Sequence, residues 1–100
     1  MKEISTEKFV AIIKEVASKH RHIEITIEPA VSTNSVYVIL KQGEATLPFR
    51  VSDHRCPKSR GLKNIVVTPS TKRDNVVRFI ENCYDALSLR ALNSAFGMIH

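Results

Sequence analysis

Two short segments combine the side chains from which metal sites and nucleophilic centres are built. His20-x-His22 and His54-x-Cys56 together hold four nitrogen and sulfur ligands of the kind tetrahedral zinc takes. Their spacing matches no common zinc finger, and nothing in chain order brings the two pairs together. The histidines are therefore expected on the surface, with no metal and no cofactor. Asp53-His54-Arg55-Cys56 also offers an acid, an imidazole and a thiol with basic neighbours that would favour the thiolate. Known triads assemble across a fold, however, so four adjacent residues make a poor one. Metal-assisted phosphodiester cleavage needs clustered carboxylates. Asp53 and Lys63 have no second carboxylate near them in sequence, and Glu24 and Glu28 could join only if the sheet order allowed it. No catalytic residue is assigned.

Phosphate binding has more support. Lys72 and Arg73 fall in the first turn of an expected helix, where the dipole disfavours cations by roughly 0.3 to 1 kcal/mol each. An anion held by the free N–H groups there reverses that sign. The chain has 15 Lys and Arg against 10 Asp and Glu, a net +5. Residues 1–28 carry five cations and five anions. Residues 29–71 carry Lys41, Arg50, Arg55, Lys58, Arg60 and Lys63 against Glu44 and Asp53. The excess is thus concentrated between Arg50 and Lys63, a footprint suited to an anionic partner.

One hundred residues make one domain, with an ordered core at about 5–92 and a weakly structured tail at 93–100. A chain this long buries roughly two-thirds of its unfolded surface, enough for one core. Two cysteines form no disulfide framework and favour a reducing cytoplasm. No apolar run is long enough to span a membrane.

The elements that must position these residues follow from periodicity. Phe9, Ile12, Ile13, Val16 and Ala17 have one-face helical spacing and predict a helix over 6–19. Ile23 to Glu28 alternates strictly and predicts a half-buried strand. Val36, Val38 and Leu40 define a second strand, and Leu47, Phe49 and Val51 a third running from Glu44 to Ser52. Gln42-Gly43 is the expected two-residue turn between them. That loop sets Lys41 opposite Glu44, Tyr37 opposite Pro48 and Ser35 opposite Arg50. The open face then carries Tyr37, Arg50 and Ser52, with Asp53 and His54 at the strand end. Pro48 marks an edge locally. Asp53 to Asn64 reads as a basic loop, and Ile65-Val66-Val67 as a short fourth strand. A second helix, capped by Ser70 or Thr71, places Val76, Val77, Ile80, Cys83, Tyr84, Leu87 and Ala91 on one stripe and reaches Leu92. The expected fold is α+β: a small antiparallel sheet of three to four strands, two helices on one face, order α-β-β-β-(β)-α.

That order resembles the double-stranded RNA-binding domain, α-β-β-β-α with basic residues at its second helix, as at Lys72-Arg73. Where that family has a Gly-Pro-x-His loop, this chain has Pro29-Ala-Val-Ser-Thr-Asn34, and its basic loop is longer. Ser35-Val-Tyr37 followed by Arg50-Val-Ser52-Asp53-His54 resembles a motif in small proteins of phages and other mobile elements. The match covers residues 35–54, and no activity is established for that group. The resemblance implies a mobile-element setting. In the hairpin register, the convergence of Tyr37, Ser52, Asp53 and His54 suggests a recognition face. It equally suits a structural role, in which Asp53 and Ser52 bond loop backbone and Arg50 pairs with Glu24 or Glu28.

The expected function is a small nucleic-acid-binding accessory protein that holds backbone phosphates with Arg50, Arg55, Lys58, Arg60, Lys63, Lys72 and Arg73. Aromatic residues are few, which favours duplex backbone or structured RNA over stacked single strands. DNA and RNA are not separated by these residues. The alternative is a protein-binding module that meets an acidic surface on a host or partner enzyme, with self-association through the apolar tail Ala95 to Ile99.

Overall fold

The computed structural model describes residues 6–31, 33–55 and 62–97, with side chains through Asn93. Its order is α1 (Thr6–Ala17), β1 (Glu24–Pro29), β2 (Ser35–Gln42), β3 (Ala45–Ser52), β4 (Lys63–Val66) and α2 (Arg73–Gly97). The four strands form one sheet in the order β1-β2-β3-β4. This is the expected α+β class.

Alternation along β2 and β3 decides what is covered. Val36, Val38, Leu40, Leu47, Phe49 and Val51 all point to one face and are buried there. Helix α1 adds Phe9, Ile13 and Val16, and α2 adds Val76, Ile80, Cys83, Tyr84 and Leu87. Ile12, Val77 and Ala91 pack at the margin of this core. The turn after α1 is tied to α2: the His20 ring stacks on Tyr84 at 3.9 Å, and its Nε2 lies 2.6 Å from Glu81 Oε1.

The hairpin register differs from the expected one by two residues. The turn is Gly43-Glu44, so Gln42 faces Ala45, Tyr37 faces Arg50 and Ser35 faces Ser52. Gly43 has φ 63° while Glu44 keeps a negative φ, the arrangement of a two-residue turn with glycine first. A slip of two leaves every side chain on its expected face, where a slip of one would have reversed them all. Pro48 lies outside the stretch of β3 that pairs with β4, so its missing N–H costs no ladder bond on that side.

Strand β4 runs parallel to β3, with Phe49 beside Lys63 and Ser52 beside Val66, where an antiparallel strand was expected. It also takes up Lys63 and Asn64, read above as loop. The sheet is therefore mixed, and β3 and β4 do not form a hairpin.

Helix α2 continues to Gly97, five residues beyond the expected Leu92. No proline or glycine interrupts it before Gly97. Its 25 residues span about 37 Å, against about 26 Å for an eight-residue strand, so the helix outruns the sheet. Neither Ser70 nor Thr71 caps it. The Thr71 hydroxyl accepts the Thr68 N–H at 2.9 Å, closing a hydroxyl-rich turn one residue ahead of Lys72. Residues 98–100, part of the expected tail, lie outside the described residues.

Candidate functional site

The two helices leave the other face of the sheet without a helical cover. Strand pairing sets Glu28, Tyr37, Arg50 and Asn64 in one row across it, and Ser35, Ser52 and Val66 in the next. Tyr37 and Ile39 are open to solvent at 41% and 46%. Arg50 is only 1% exposed, and Ser35 and Ser52 are fully buried beside it.

Arg50 is the centre of a polar network. Its Nη2 donates to Ser35 Oγ at 3.1 Å and lies 3.1 Å from His54 Nε2. The His54 Nδ1 lies 2.9 Å from Asp53 Oδ1, and Asn34 Nδ2 donates to Asp53 Oδ2 at 3.0 Å. The chemistry of arginine fixes the proton positions. A guanidinium has no acceptor, so His54 Nε2 must accept from Arg50 and Nδ1–H must donate to Asp53. His54 is therefore neutral in this arrangement. The bonds from His54 and Asn34 hold the Asp53 carboxyl below its ordinary pKa. The Tyr37 ring stands 5.8 Å from the Arg50 guanidinium carbon, within cation–π range.

The local sequence produces this convergence. Arg50 and Ser52 are two apart on β3 and so share a face, and Ser35 opposes Ser52 at the strand end. Ser52 Oγ donates to the His54 carbonyl at 2.5 Å, which bends the chain over the sheet as it leaves β3. Asp53 N–H donates to the Asn34 carbonyl at 3.2 Å and joins the β1–β2 loop to the same corner.

Among the described residues, this geometry does not assemble a serine or cysteine nucleophile. The Ser52 hydroxyl is bonded to backbone, and the imidazole nitrogen a base would use is bonded to Arg50. Cys56 lies outside the described residues. Cys83 is buried in the core, and burial pushes its thiol up to about 11. Among the described residues, no three potential ligands gather for a metal. His20 is packed against α2 and His54 sits on the opposite face, so the two histidine segments do not meet. Glu28 is separated from Arg50 by Tyr37, and no described carboxylate forms an ion pair with Arg50.

The cations expected to hold phosphate divide into three groups. Arg50 is buried in the network, and Arg73 pairs with Glu15 of α1. Arg55, Lys63 and Lys72 are exposed and have no ion-pair partner among the described residues. Lys58 and Arg60 lie outside the described residues. The parallel direction of β4 has a consequence for these groups. Strands β3 and β4 end side by side, so the segments that carry Arg55 and Lys72 leave the sheet at the same end. An antiparallel β4 would have sent them to opposite ends.

The network also contains Asn34, expected only as loop, and Ser35, expected opposite Arg50 but not as a site residue. Their signal was slight: a polar run, Thr33-Asn34-Ser35, placed where a strand begins. Elsewhere, a groove of about 640 Å³ between α1 and the start of α2 is lined mainly by Phe9, Ile12, Val67, Pro69 and Val76. It lies apart from the network and holds no acid–base pair. Comparison with protein-family models, with curated proteins and with solved structures finds no match, so function is argued from these residues alone.

Proposed function

We propose that the chain is a nucleic-acid-binding accessory protein of mobile-element type that holds backbone phosphates at the end of the sheet where β3 and β4 finish. One observation carries this reading. From His54 to Arg73 the chain has six cations (Arg55, Lys58, Arg60, Lys63, Lys72 and Arg73) and no acid at all. Arg55 follows β3 and Lys72 follows β4 beyond the place where the two strands end side by side, and Lys63 opens β4 at its other end. Such a one-signed surface attracts a polyanion and guides its approach. Arg50 is too deeply buried to meet a continuous backbone, and Arg73 is shared with Glu15, so the backbone set is Arg55, Lys58, Arg60, Lys63 and Lys72.

Five phosphate contacts on a duplex give a slope of roughly −4.5 in log affinity against log salt. Binding measured by fluorescence anisotropy at several salt concentrations tests this directly. A slope near zero, or an unchanged slope when all five cations are replaced by alanine, overturns the reading.

A second reading has its own support. Tyr37 and Ile39 are exposed on the helix-free face, and Leu89 and Leu92 are exposed on α2. Apolar and aromatic groups of this kind suit a protein partner with an acidic rim, or a second copy of the chain. Recovery of one stoichiometric protein in nuclease-treated pulldowns, lost on Tyr37→Ser with Ile39→Ser, favours it.

A further inference from the structure

Arginine stays protonated at any pH a protein meets, so a buried guanidinium needs partners for its charge and its five N–H groups. Arg50 has few. Its two Nη2 protons go to Ser35 and His54, both neutral, while Nε and Nη1 have no partner among the described residues. Three of the five N–H groups are thus uncommitted among the described residues. The nearest acid in the network, Asp53, is bonded to the far side of the imidazole and does not touch the guanidinium. The chain that follows cannot supply another, because His54 to Arg73 contains no Asp or Glu. Ser35 Oγ accepts from both Arg50 and Thr33, which leaves its own proton to give.

We propose that Arg50 and Ser35 form the floor of an oxyanion site that takes a terminal phosphate, entered when the His54 imidazole swings aside. The inference rests on the nucleic-acid reading and names the group that would enter this face. His54 is suited to the gating role, because it is exposed and lies two residues past the end of β3, while Arg50 is held within the strand. In the present arrangement His54 Nε2 occupies a proton of Arg50 that a phosphate oxygen would take. A phosphate dianion can accept from several donors at once, matching the free protons of Arg50 and the Ser35 hydroxyl better than a carboxylate would. Burial also selects for an end. An internal phosphodiester cannot reach a group that is 1% exposed unless its flanking nucleosides enter as well, whereas a terminal phosphate can. Arg55, exposed and next in sequence to His54, adds attraction at the entrance.

The test compares one duplex carrying a 5′-phosphate with the same duplex carrying a 5′-hydroxyl, made once as DNA and once as RNA. At fixed salt the phosphorylated form is expected to bind at least tenfold tighter, and millimolar inorganic phosphate should remove that difference. Arg50→Met should abolish the preference. His54→Ala, which removes the competing acceptor without touching the floor, should keep or enlarge it. Loss of the preference in His54→Ala contradicts the gate. Equal binding of the two ends by the wild type overturns the inference and leaves the nucleic-acid reading standing. If neither duplex binds, the nucleic-acid reading fails, and the site is judged by inorganic phosphate alone. A phosphate-induced shift of the His54 ring resonances, absent in Arg50→Met, then supports a free phosphate ester as ligand. No shift overturns the site.

Discussion

The two faces of the sheet bury side chains of the same two strands for different ends. On the helix-covered face, Val36, Val38, Leu40, Leu47, Phe49 and Val51 meet apolar residues from α1 and α2, and close packing accounts for their burial. On the other face, one position away along each strand, Ser35, Arg50 and Ser52 are equally buried, yet their neighbours are Asn34, Asp53 and His54. The first face leaves two neutral oxygens, Tyr84 Oη and Gln42 Oε1, without a partner among the described residues. The second leaves three N–H groups of a guanidinium without partners among the described residues. Burial therefore does not by itself mark a residue as part of the folding core. What separates the two faces is that the under-partnered group on the second is a buried charge.

Substitutions that sharpen this contrast fall in a clear order. Phe49→Ala empties a site between the sheet and Phe79 and should cost about 3 to 5 kcal/mol in urea unfolding. Leu47→Ala should cost about 2 to 5 kcal/mol. Losses well below these would mean that the helix-covered face is loosely packed.

Acid offers a second probe, specific to the polar face. The Asp53 pKa in the folded chain is lowered from its ordinary 3.8 by bonds from His54 and Asn34. A lowered carboxyl pKa contributes stability that is present above the unfolded value and is lost as pH falls through the folded one. Asp53→Asn should therefore be less stable than wild type at neutral pH, with the gap closing below pH 3.8. Glu15 shifts in the same direction through Arg73, and it contributes equally to both proteins in that comparison. A gap independent of pH would contradict the assigned proton positions.

Cysteine chemistry checks the covered face without mutation of it. Burial and a thiol pKa of about 11 predict that Cys83, in a Cys56→Ser background, resists alkylation at pH 8 and reacts fully once unfolded in urea. Rapid native labelling would show that α2 opens from the sheet. The smallest effect is expected at the surface pair between the helices: Glu15→Gln should leave the unfolding midpoint unchanged while releasing Arg73 to bind phosphate.

Much of the covered face was legible in sequence, because strict alternation at Val36-Val38-Leu40 and Leu47-Phe49-Val51 admits one assignment of sides. The turn was not legible to the residue. Gln42-Gly43 and Gly43-Glu44 both make two-residue loops containing glycine, and they keep every residue on the same face. Only the backbone angle of Gly43 distinguishes them. The direction of β4 was hidden for a different reason: four residues, Lys-Asn-Ile-Val, carry no signal for parallel or antiparallel pairing. That direction nonetheless decides which cation-bearing segments leave the sheet at the same end. At the site, the stretch from Ser35 to His54 contains Ser35, Arg50, Ser52, Asp53 and His54 but not Asn34, and it does not encode the bonds among them. Alternation puts Arg50 on the open face, where an exposed cation is the ordinary expectation. Its burial depends on how the chain folds back at Ser52, Asp53 and His54, through bonds that strand periodicity does not encode.

The most direct measurement is the urea unfolding of Arg50→Met beside wild type. If Arg50 is kept for a ligand, replacing an under-partnered buried charge by an apolar side chain of similar length leaves stability unchanged or raises it, by up to about 1 to 4 kcal/mol. A loss of about 3 kcal/mol or more, comparable with Phe49→Ala, would show that Arg50 belongs to the folding core and contradict the distinction between the two faces.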